Sequence, residues 1–185
     1  MTNENWDDYE WWDHIYEDAK EDARALGFDI ESICFSGFWA QGDGASWTGG
    51  VRIADFIEAH IKPEMPAYSK WVVFLEILRN EDPNGKLNVT LRDSRYCHEQ
   101  SMRIANMDDV YFITEEDTAT ISNGVLAGAS VRELANAIDA PAMQQALEDW
   151  ALDEARCYAK KIYRHLEDEY DYLETTHEEE QKEHS

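Results

Sequence analysis

The sequence predicts an α+β fold, with two antiparallel β-hairpins packed against helices and acidic amphipathic helices near both termini. Apolar residues recur at helical spacing near the two ends, while alternating apolar residues and turn signals occupy the middle. The 185-residue chain also has seven Trp and nine Tyr, enough to fill a core. We therefore expect a single α+β domain over residues 1–176, followed by a polar acidic tail over 177–185.

Residues 9–26 have the pattern of an amphipathic helix. Gly27 is a plausible end for it, since glycine is common just after the last helical residue. The face opposite the apolar stripe is acidic, so the sequence predicts a helix with one buried and one negatively charged side. The apolar stripe consists of Trp12, Ile15, Tyr16, Ala19, Ala23 and Leu26.

Two strands and two helices are expected next. The segment IESICFSGFWA at 30–40 favours a strand, QGDGAS is turn material, and SWTGGVRI at 46–53 is the returning strand of a hairpin. Residues 54–61 form a short helix that ends before Pro63. Residues 67–80 are helical by length and apolar spacing, although their Val-Val pair leaves a strand possible.

A second hairpin follows the turn signal DPNG at 82–85. Apolar residues then alternate with polar ones over 87–91, as in a half-buried strand. Residues 97–106 are the expected return strand, with Met102 and Ile104 pointing inward.

A long helix is predicted near the C-terminus. Residues 107–129 have no clear pattern, and a capping box at 130–133 indicates a short helix. Asp139 and Pro141 indicate the start of the long one. Its apolar stripe runs from residue 143 to 173, and the polar tail THEEEQKEHS at 176–185 is expected to fray.

The cysteines and the N-terminus predict a location. Cys34, Cys97 and Cys157 are odd in number and form no CxxC pair, which argues against a disulfide framework and a zinc site and for a reducing compartment. The acidic N-terminus lacks the basic region of a signal peptide, and no apolar run is long enough to span a bilayer. We expect a cytoplasmic protein.

Negative charge is the most informative property of the chain. Forty acidic residues against sixteen basic ones give a net charge of −24, well beyond the magnitude of about 2–8 that keeps a small domain soluble. Such a field repels nucleic acid and membranes and attracts basic surfaces. The common alternative is two solvated helix faces with no partner. The candidate partner-binding carboxylates are Asp13, Glu17, Asp18, Glu21, Asp22, Glu167, Asp168, Glu169, Asp171 and Glu174.

The glycine-rich loop at 37–47 is a second candidate site. Its glycines permit close approach of a partner, and its short polar groups lie between two tryptophans. It lacks the glycine spacing of a phosphate-binding loop. The alternative is a simple hairpin turn with its tryptophans in the core. The candidate residues here are Trp39, Gln41, Asp43 and Ser46.

The segment Arg95-Tyr96-Cys97-His98-Glu99 is a third candidate. Adjacent strand residues point to opposite faces, so these neighbours are not expected to converge on one ion or substrate. A catalytic pair would need a partner from elsewhere, such as Asp43 or Cys34. Structural roles for Arg95, Tyr96 and His98 are favoured. The scattered histidines show no metal-binding spacing, and we expect no metal and no cofactor.

A family resemblance covers nearly the whole chain. The run WWDHIYEDAKEDARALGFDIESICFSGFWAQGDGASWTGG, with RYCHEQSM at 95–102 and IYRHLEDEYDYL at 162–173, resembles a family of small acidic proteins of tailed phages and prophages. Members share an FSGFWSQGDGASF-type hairpin and are often labelled the antitoxin of a toxin–antitoxin stability system. Ala40 and Trp47 replace the expected Ser and Phe. The resemblance implies a mobile-element origin and a protein-binding role.

These observations favour a non-enzymatic phage or prophage protein that inhibits a basic, nucleic-acid-handling host protein. Defence nucleases, restriction or CRISPR effectors and toxins are the candidate targets, and nucleic-acid mimicry by the acidic surface is the expected mode. The alternative is a small-ligand-binding or enzymatic domain that uses the QGDG loop and the Arg95–His98 turn. A third possibility is a virion or assembly component whose charge serves solubility alone.

Overall fold

The computed structural model describes residues 10–92, 96–105 and 140–183. Within them helices and an antiparallel sheet alternate along the chain, so the predicted α+β fold is confirmed. A short 3-10 turn precedes the last strand. The elements are α1 (Asp13–Arg24), β1 (Phe28–Phe35), β2 (Ala45–Arg52), α2 (Ile53–His60), α3 (Tyr68–Glu81), β3 (Lys86–Leu91), β4 (Met102–Ile104) and α4 (Ala140–Glu183).

The strands form one antiparallel sheet in the order β1-β2-β3-β4. Phe28 of β1 lies opposite Val51 of β2, and Val51 lies opposite Leu87 of β3. Leu91 of β3 lies opposite Met102 of β4. Both predicted hairpins therefore form, and they join into one sheet because β2 pairs with β3. That central pairing was not evident from the sequence.

The helices between the hairpins agree with the predictions. Residues 53–60 and 68–81 are helical, so the Val-Val pair lies within α3 rather than a strand. The apolar stripe of α3 is buried, as an amphipathic helix against a sheet requires. Its buried residues include Trp71, Phe74, Leu75 and Leu78.

Helix α4 covers the sheet with its apolar stripe, which is buried from Met143 to Leu166. The indole Nε1 of Trp47 in β2 donates a hydrogen bond to the Ala155 carbonyl of α4 at 3.1 Å, which fixes the sheet to the helix. The helix continues to Glu183, into the segment that the sequence indicates as a polar tail.

The prediction against disulfides is wrong. Cys34, at the end of β1, is bonded to Cys97, just before the 3-10 turn, with their Cα atoms 5.2 Å apart. Because 63 residues separate them in the sequence, the spacing of the cysteines could not show that the fold brings them together. Cys157 is free and exposed on α4.

Several predictions lie outside the described residues. They concern the connection at 107–129, the capping box at 130–133, Asp139 as a helix cap and the side chain of Arg95. In the part of the chain that the structure describes, no helix is long and apolar enough to cross a membrane.

Candidate functional site: an acidic groove and an aromatic loop

Helices α1 and α4 lie side by side although they come from opposite ends of the chain. The hydroxyl of Tyr158 in α4 donates a buried hydrogen bond to the Ala19 carbonyl of α1 at 2.7 Å. Ala19 and Ala23 are buried and small, so the two helices approach closely. Next to this contact, Lys161 Nζ lies 3.3 Å from Asp22 Oδ2.

A groove runs along this helix pair and is lined mainly by charged side chains. His14 Nε2 lies 4.0 Å from Glu169 Oε1 across it. We call this feature the acidic groove, and it comprises two adjoining depressions. Its polar lining residues are His14, Asp18, Glu21 and Asp22 of α1 and Lys161, His165, Asp168 and Glu169 of α4.

The predicted carboxylates thus divide into two sets. Those in the groove are Asp18, Glu21, Asp22, Asp168 and Glu169. The others are exposed and lie outside the groove, where Glu17 pairs with Lys20 at 3.1 Å. The carboxylates outside the groove are Asp13, Glu17, Glu167, Asp171 and Glu174.

Tyrosines beneath the helix surfaces are kept neutral by their surroundings. Burial, reinforced by the nearby Asp22 carboxylate, raises the pKa of Tyr158 to about 12. Burial and the carboxylates of Glu10 and Asp13 raise the pKa of Tyr16 to about 12. Ionising either phenol would place another negative charge inside an already negative region.

The loop that joins β1 to β2, residues 36–44, is closed by its own hydrogen bonds. The carboxylate of Asp43 accepts the backbone N–H groups of Trp39 at 3.0 Å and of Ala40 at 2.6 Å. Gly37 and Gly42 have φ values of +115° and +97°, a region that glycine enters without strain. Asp43 therefore has a structural role in this turn.

Two predicted loop residues prove to be buried. Ser46 and Trp47 are wholly inaccessible in β2, and Trp47 belongs to the core. By contrast, Gln41 is exposed and Trp39 is 81% exposed. Only one of the two predicted tryptophans is thus available to a partner.

The loop and the segment 96–101 meet, as the alternative hypothesis requires. The Cys34–Cys97 bond joins their bases. A Cβ atom at Gly44 would lie 3.2 Å from the Cα atom of His98, so glycine permits this close contact. Tyr96 lies over Gly42.

His98 and Glu99 do not point to opposite faces, so that prediction is wrong. Residues 99–101 form a 3-10 turn rather than a strand, and His98 Nδ1 lies 3.0 Å from Glu99 Oε2. An unprotonated Nδ1 accepts the N–H of Gln100 at 3.1 Å, whereas a protonated Nδ1 donates to Glu99 instead. Glu99 is buried and contacts Lys160 at 3.5 Å. The arrangement supports the turn.

An aromatic cluster between the loop and α4 was not recognised from the sequence. The ring of Phe38 lies 5.5 Å from that of Tyr163 and 5.2 Å from that of Tyr170. Burial, then Glu167 and Asp43, raise the pKa of Tyr163, so both carboxylates lie near this cluster. The seven-residue spacing of Tyr163 and Tyr170 was a signal that both lie on one side of α4.

One protein family covers most of the chain. Residues 11–176 match the family described as "Domain of unknown function (DUF8835)". The chain belongs to this family. The matched region includes α1, the sheet, the loop and α4 as far as residue 176, so both the acidic groove and the aromatic cluster lie within it. No curated protein and no solved structure matches the chain.

The described residues include no group of three or more His, Cys, Asp or Glu side chains arranged to hold a metal ion. What the groove offers instead is a row of carboxylates at a helix–helix boundary, which suits recognition of cationic groups.

Proposed function

We propose that this protein binds and inhibits a basic host protein that handles nucleic acid, with its acidic groove occupying the partner's nucleic-acid site. The observation that carries the proposal is the meeting of carboxylates from both ends of the chain in one groove, such as Asp18 of α1 and Asp168 of α4. The resemblance to phage and prophage proteins supports a defence nuclease, a restriction or CRISPR effector, or a toxin as the target.

The physical basis is the spacing of the charges. Carboxylates three or four residues apart on a helix lie about 5–6 Å from each other, on the scale of the phosphate spacing along a nucleic-acid strand. An exposed ion pair contributes only about 0–1 kcal/mol, so the affinity comes from the summed field. This field also speeds the association of a positively charged partner.

The proposed partner would meet the protein in the host cytoplasm. The nature of the target supports this location, whereas the cysteines do not, because Cys34 and Cys97 are bonded. A cytoplasmic site implies that reducing thiols compete with the Cys34–Cys97 bond.

The first test is affinity capture from host lysate on the immobilised protein, over a salt series and with DNA as competitor. We expect a basic nucleic-acid-binding protein to be retained at low salt, released as the salt concentration rises, and displaced by DNA. The purified partner should lose nuclease or toxin activity when this protein is added. Retention that is unchanged at about 1 M salt, where the Debye length is about 3 Å, would refute the proposal.

Two matched variants resolve which carboxylates act. Asp18→Asn with Glu21→Gln removes two charges from the groove, and Asp13→Asn with Glu17→Gln removes two from the same helix outside it. The net charge of the two variants is equal, so any difference in binding reports the position of the charges. We expect the groove variant to weaken binding more. Equal losses would assign binding to net charge rather than to the groove.

The alternative function is a small-ligand-binding or enzymatic domain built on the loop and residues 96–98. The contact of Gly44 with His98 favours it, since it brings the base of the loop against half-buried His98. Gln41→Ala and His98→Ala would abolish such an activity and leave partner capture intact. The inhibitor hypothesis predicts the opposite dependence, with the groove variant affected and these two unaffected.

A further inference from the structure

Trp39 is exposed to an extent that folding does not explain. Its side chain is 81% accessible, whereas Trp47 and Trp71 are buried. Among the large apolar residues that the structure describes, the other exposed ones are Val72, Tyr96 and Tyr172. Placing an indole in water costs free energy that burial would recover, and tryptophan is enriched at protein–protein contact surfaces.

The backbone beneath Trp39 is held in one conformation. Its N–H group and that of Ala40 both donate to the Asp43 carboxylate, and the Cys34–Cys97 bond anchors the loop base. Phe38 fixes the loop from below, with its ring 4.9 Å from Phe35. A preorganised aromatic side chain loses little conformational freedom on binding.

The surroundings of Trp39 are aromatic and negatively charged. Its ring lies 6.3 Å from that of Phe38, which packs against Tyr163. Asp43 and Glu167 both act electrostatically on Tyr163 and therefore lie close to this cluster. On the other side of the loop, a Cβ atom at Gly42 would lie 3.4 Å from the ring of Tyr96, which is 53% exposed.

We propose that Trp39 is an aromatic anchor that receives an arginine side chain of the basic partner, with Asp43 and Glu167 supplying the negative charge. A guanidinium group stacks on an indole face and is attracted by its quadrupole, and its planar shape suits this contact better than an ammonium group. Nucleic-acid-binding surfaces are rich in arginine. The inference rests on the proposed function and adds a specific contact outside the acidic groove.

The test uses two peptides of equal length and charge, one alternating glycine and arginine and the other glycine and lysine. Their affinities for the full-length protein are measured by isothermal titration calorimetry at about 50 mM salt, where exposed charges are weakly screened. We expect the arginine peptide to bind more tightly. Trp39→Ala should weaken arginine-peptide binding about three- to fivefold, change lysine-peptide binding less than about twofold, and leave the salt dependence unaltered.

Two variants provide the controls. Val72→Ala removes exposed apolar surface from α3 and should change neither affinity, and Trp39→Phe should retain part of the arginine preference. If Trp39→Ala binds the arginine peptide as tightly as the wild type does, the role of Trp39 as an anchor is refuted. Peptide binding that weakens with salt would still support the acidic groove in that case. If neither peptide binds at low salt, both the anchor and the electrostatic basis of the proposed function fail.

Discussion

The Asp29 carboxylate on the sheet and the carboxylates of the acidic groove differ in how many cations accompany them. On the sheet, Asp29 of β1 lies 2.7 Å from Arg52 Nη1 and 2.7 Å from Lys86 Nζ. Arg52 Nε also contacts Asp55 at 2.7 Å. Burial raises the pKa of the Asp29 carboxyl, but the hydrogen bond from Lys86 and the surrounding cations outweigh it, and the net pKa is lowered.

In the acidic groove, carboxylates without a cationic partner among the described residues outnumber those that have one. Lys161 pairs with Asp22, and His14 lies near Glu169. Asp18, Glu21 and Asp168, however, have no ion pair with any described residue. Asp29 therefore serves the fold, whereas much of the groove charge is available to a partner.

The largest effect is expected where the sheet is cross-linked. Either replacing Cys34 and Cys97 by serine or reducing the bond opens the loop that it closes in the unfolded chain, where the two cysteines are 63 residues apart. Because the unfolded chain gains conformational entropy, the free energy of unfolding should fall by about 4 kcal/mol in the chain-entropy model. Urea denaturation with and without dithiothreitol measures it, with Cys157→Ser as the control. Unlike a charge effect, the loss should be equal at low and high salt, and a loss that disappeared at high salt would contradict this.

The second prediction concerns the joint between α1 and α4. Tyr158→Phe removes the hydrogen bond to the Ala19 carbonyl and should cost about 1 kcal/mol at neutral pH. The folded pKa of about 12 exceeds the unfolded value of about 10, so the contribution of Tyr158 is complete below about pH 10 and lost as the pH rises through 12.

Stability measured between neutral pH and about pH 12 tests both parts. The Tyr158→Phe protein should lose less stability than the wild type over the alkaline range. Some loss should remain, because the pKa of Tyr16 is also raised to about 12. If the stability of the two proteins fell in parallel with pH, the ionisation of Tyr158 would not contribute to the alkaline loss of stability.

The third prediction concerns paired charge on the sheet. Asp29→Asn should destabilise the protein by about 1 kcal/mol, because it removes the partner of Arg52 and Lys86. The folded pKa of Asp29 is lowered, so its contribution is present above the unfolded value of about 3.9 and is lost as the pH falls through the folded pKa. Urea denaturation of both proteins from neutral to acidic pH should show the difference shrinking below about pH 4. A difference that persisted undiminished there would argue against the ion pairs.

Much of the fold was predictable because local periodicity reports which side of an element is buried. The stripe of α1 and the alternation over 87–91 were enough to place those elements. The same periodicity contains no information on which distant segments meet. The β2–β3 pairing and the Cys34–Cys97 bond depend on contacts between residues far apart in the chain.

The candidate sites were predictable to a similar extent. Charge counting identified the carboxylates of both helices, but helical geometry decides that Asp18 lines the groove and Glu17 does not. In the loop, composition identified Trp39 and Trp47 equally, and strand position decides which is buried. His98 was misread because residues 99–101 turn, and the alternation rule applies only to strands.

The smallest expected effect is a gain in stability on removing groove charge, opposite in sign to the loss expected for Asp29→Asn. Asp18 lies three residues before Glu21 and four before Asp22, so like charges are neighbours on α1. Glu21 also lies near the helix C-terminus, where a negative charge opposes the helix dipole. Asp18→Asn with Glu21→Gln should therefore raise the free energy of unfolding by a few tenths of a kcal/mol.

Salt provides the control for this last effect, because screening at about 1 M should remove the gain while leaving the effect of the disulfide unchanged. Urea denaturation at low and high salt measures both. Glu17→Gln is the matched variant, and it should give no gain because Glu17 pairs with Lys20. If the Asp18 and Glu21 changes destabilised the protein as Asp29→Asn does, the groove carboxylates would be part of the fold's own charge balance, and they would no longer be in excess for a basic partner.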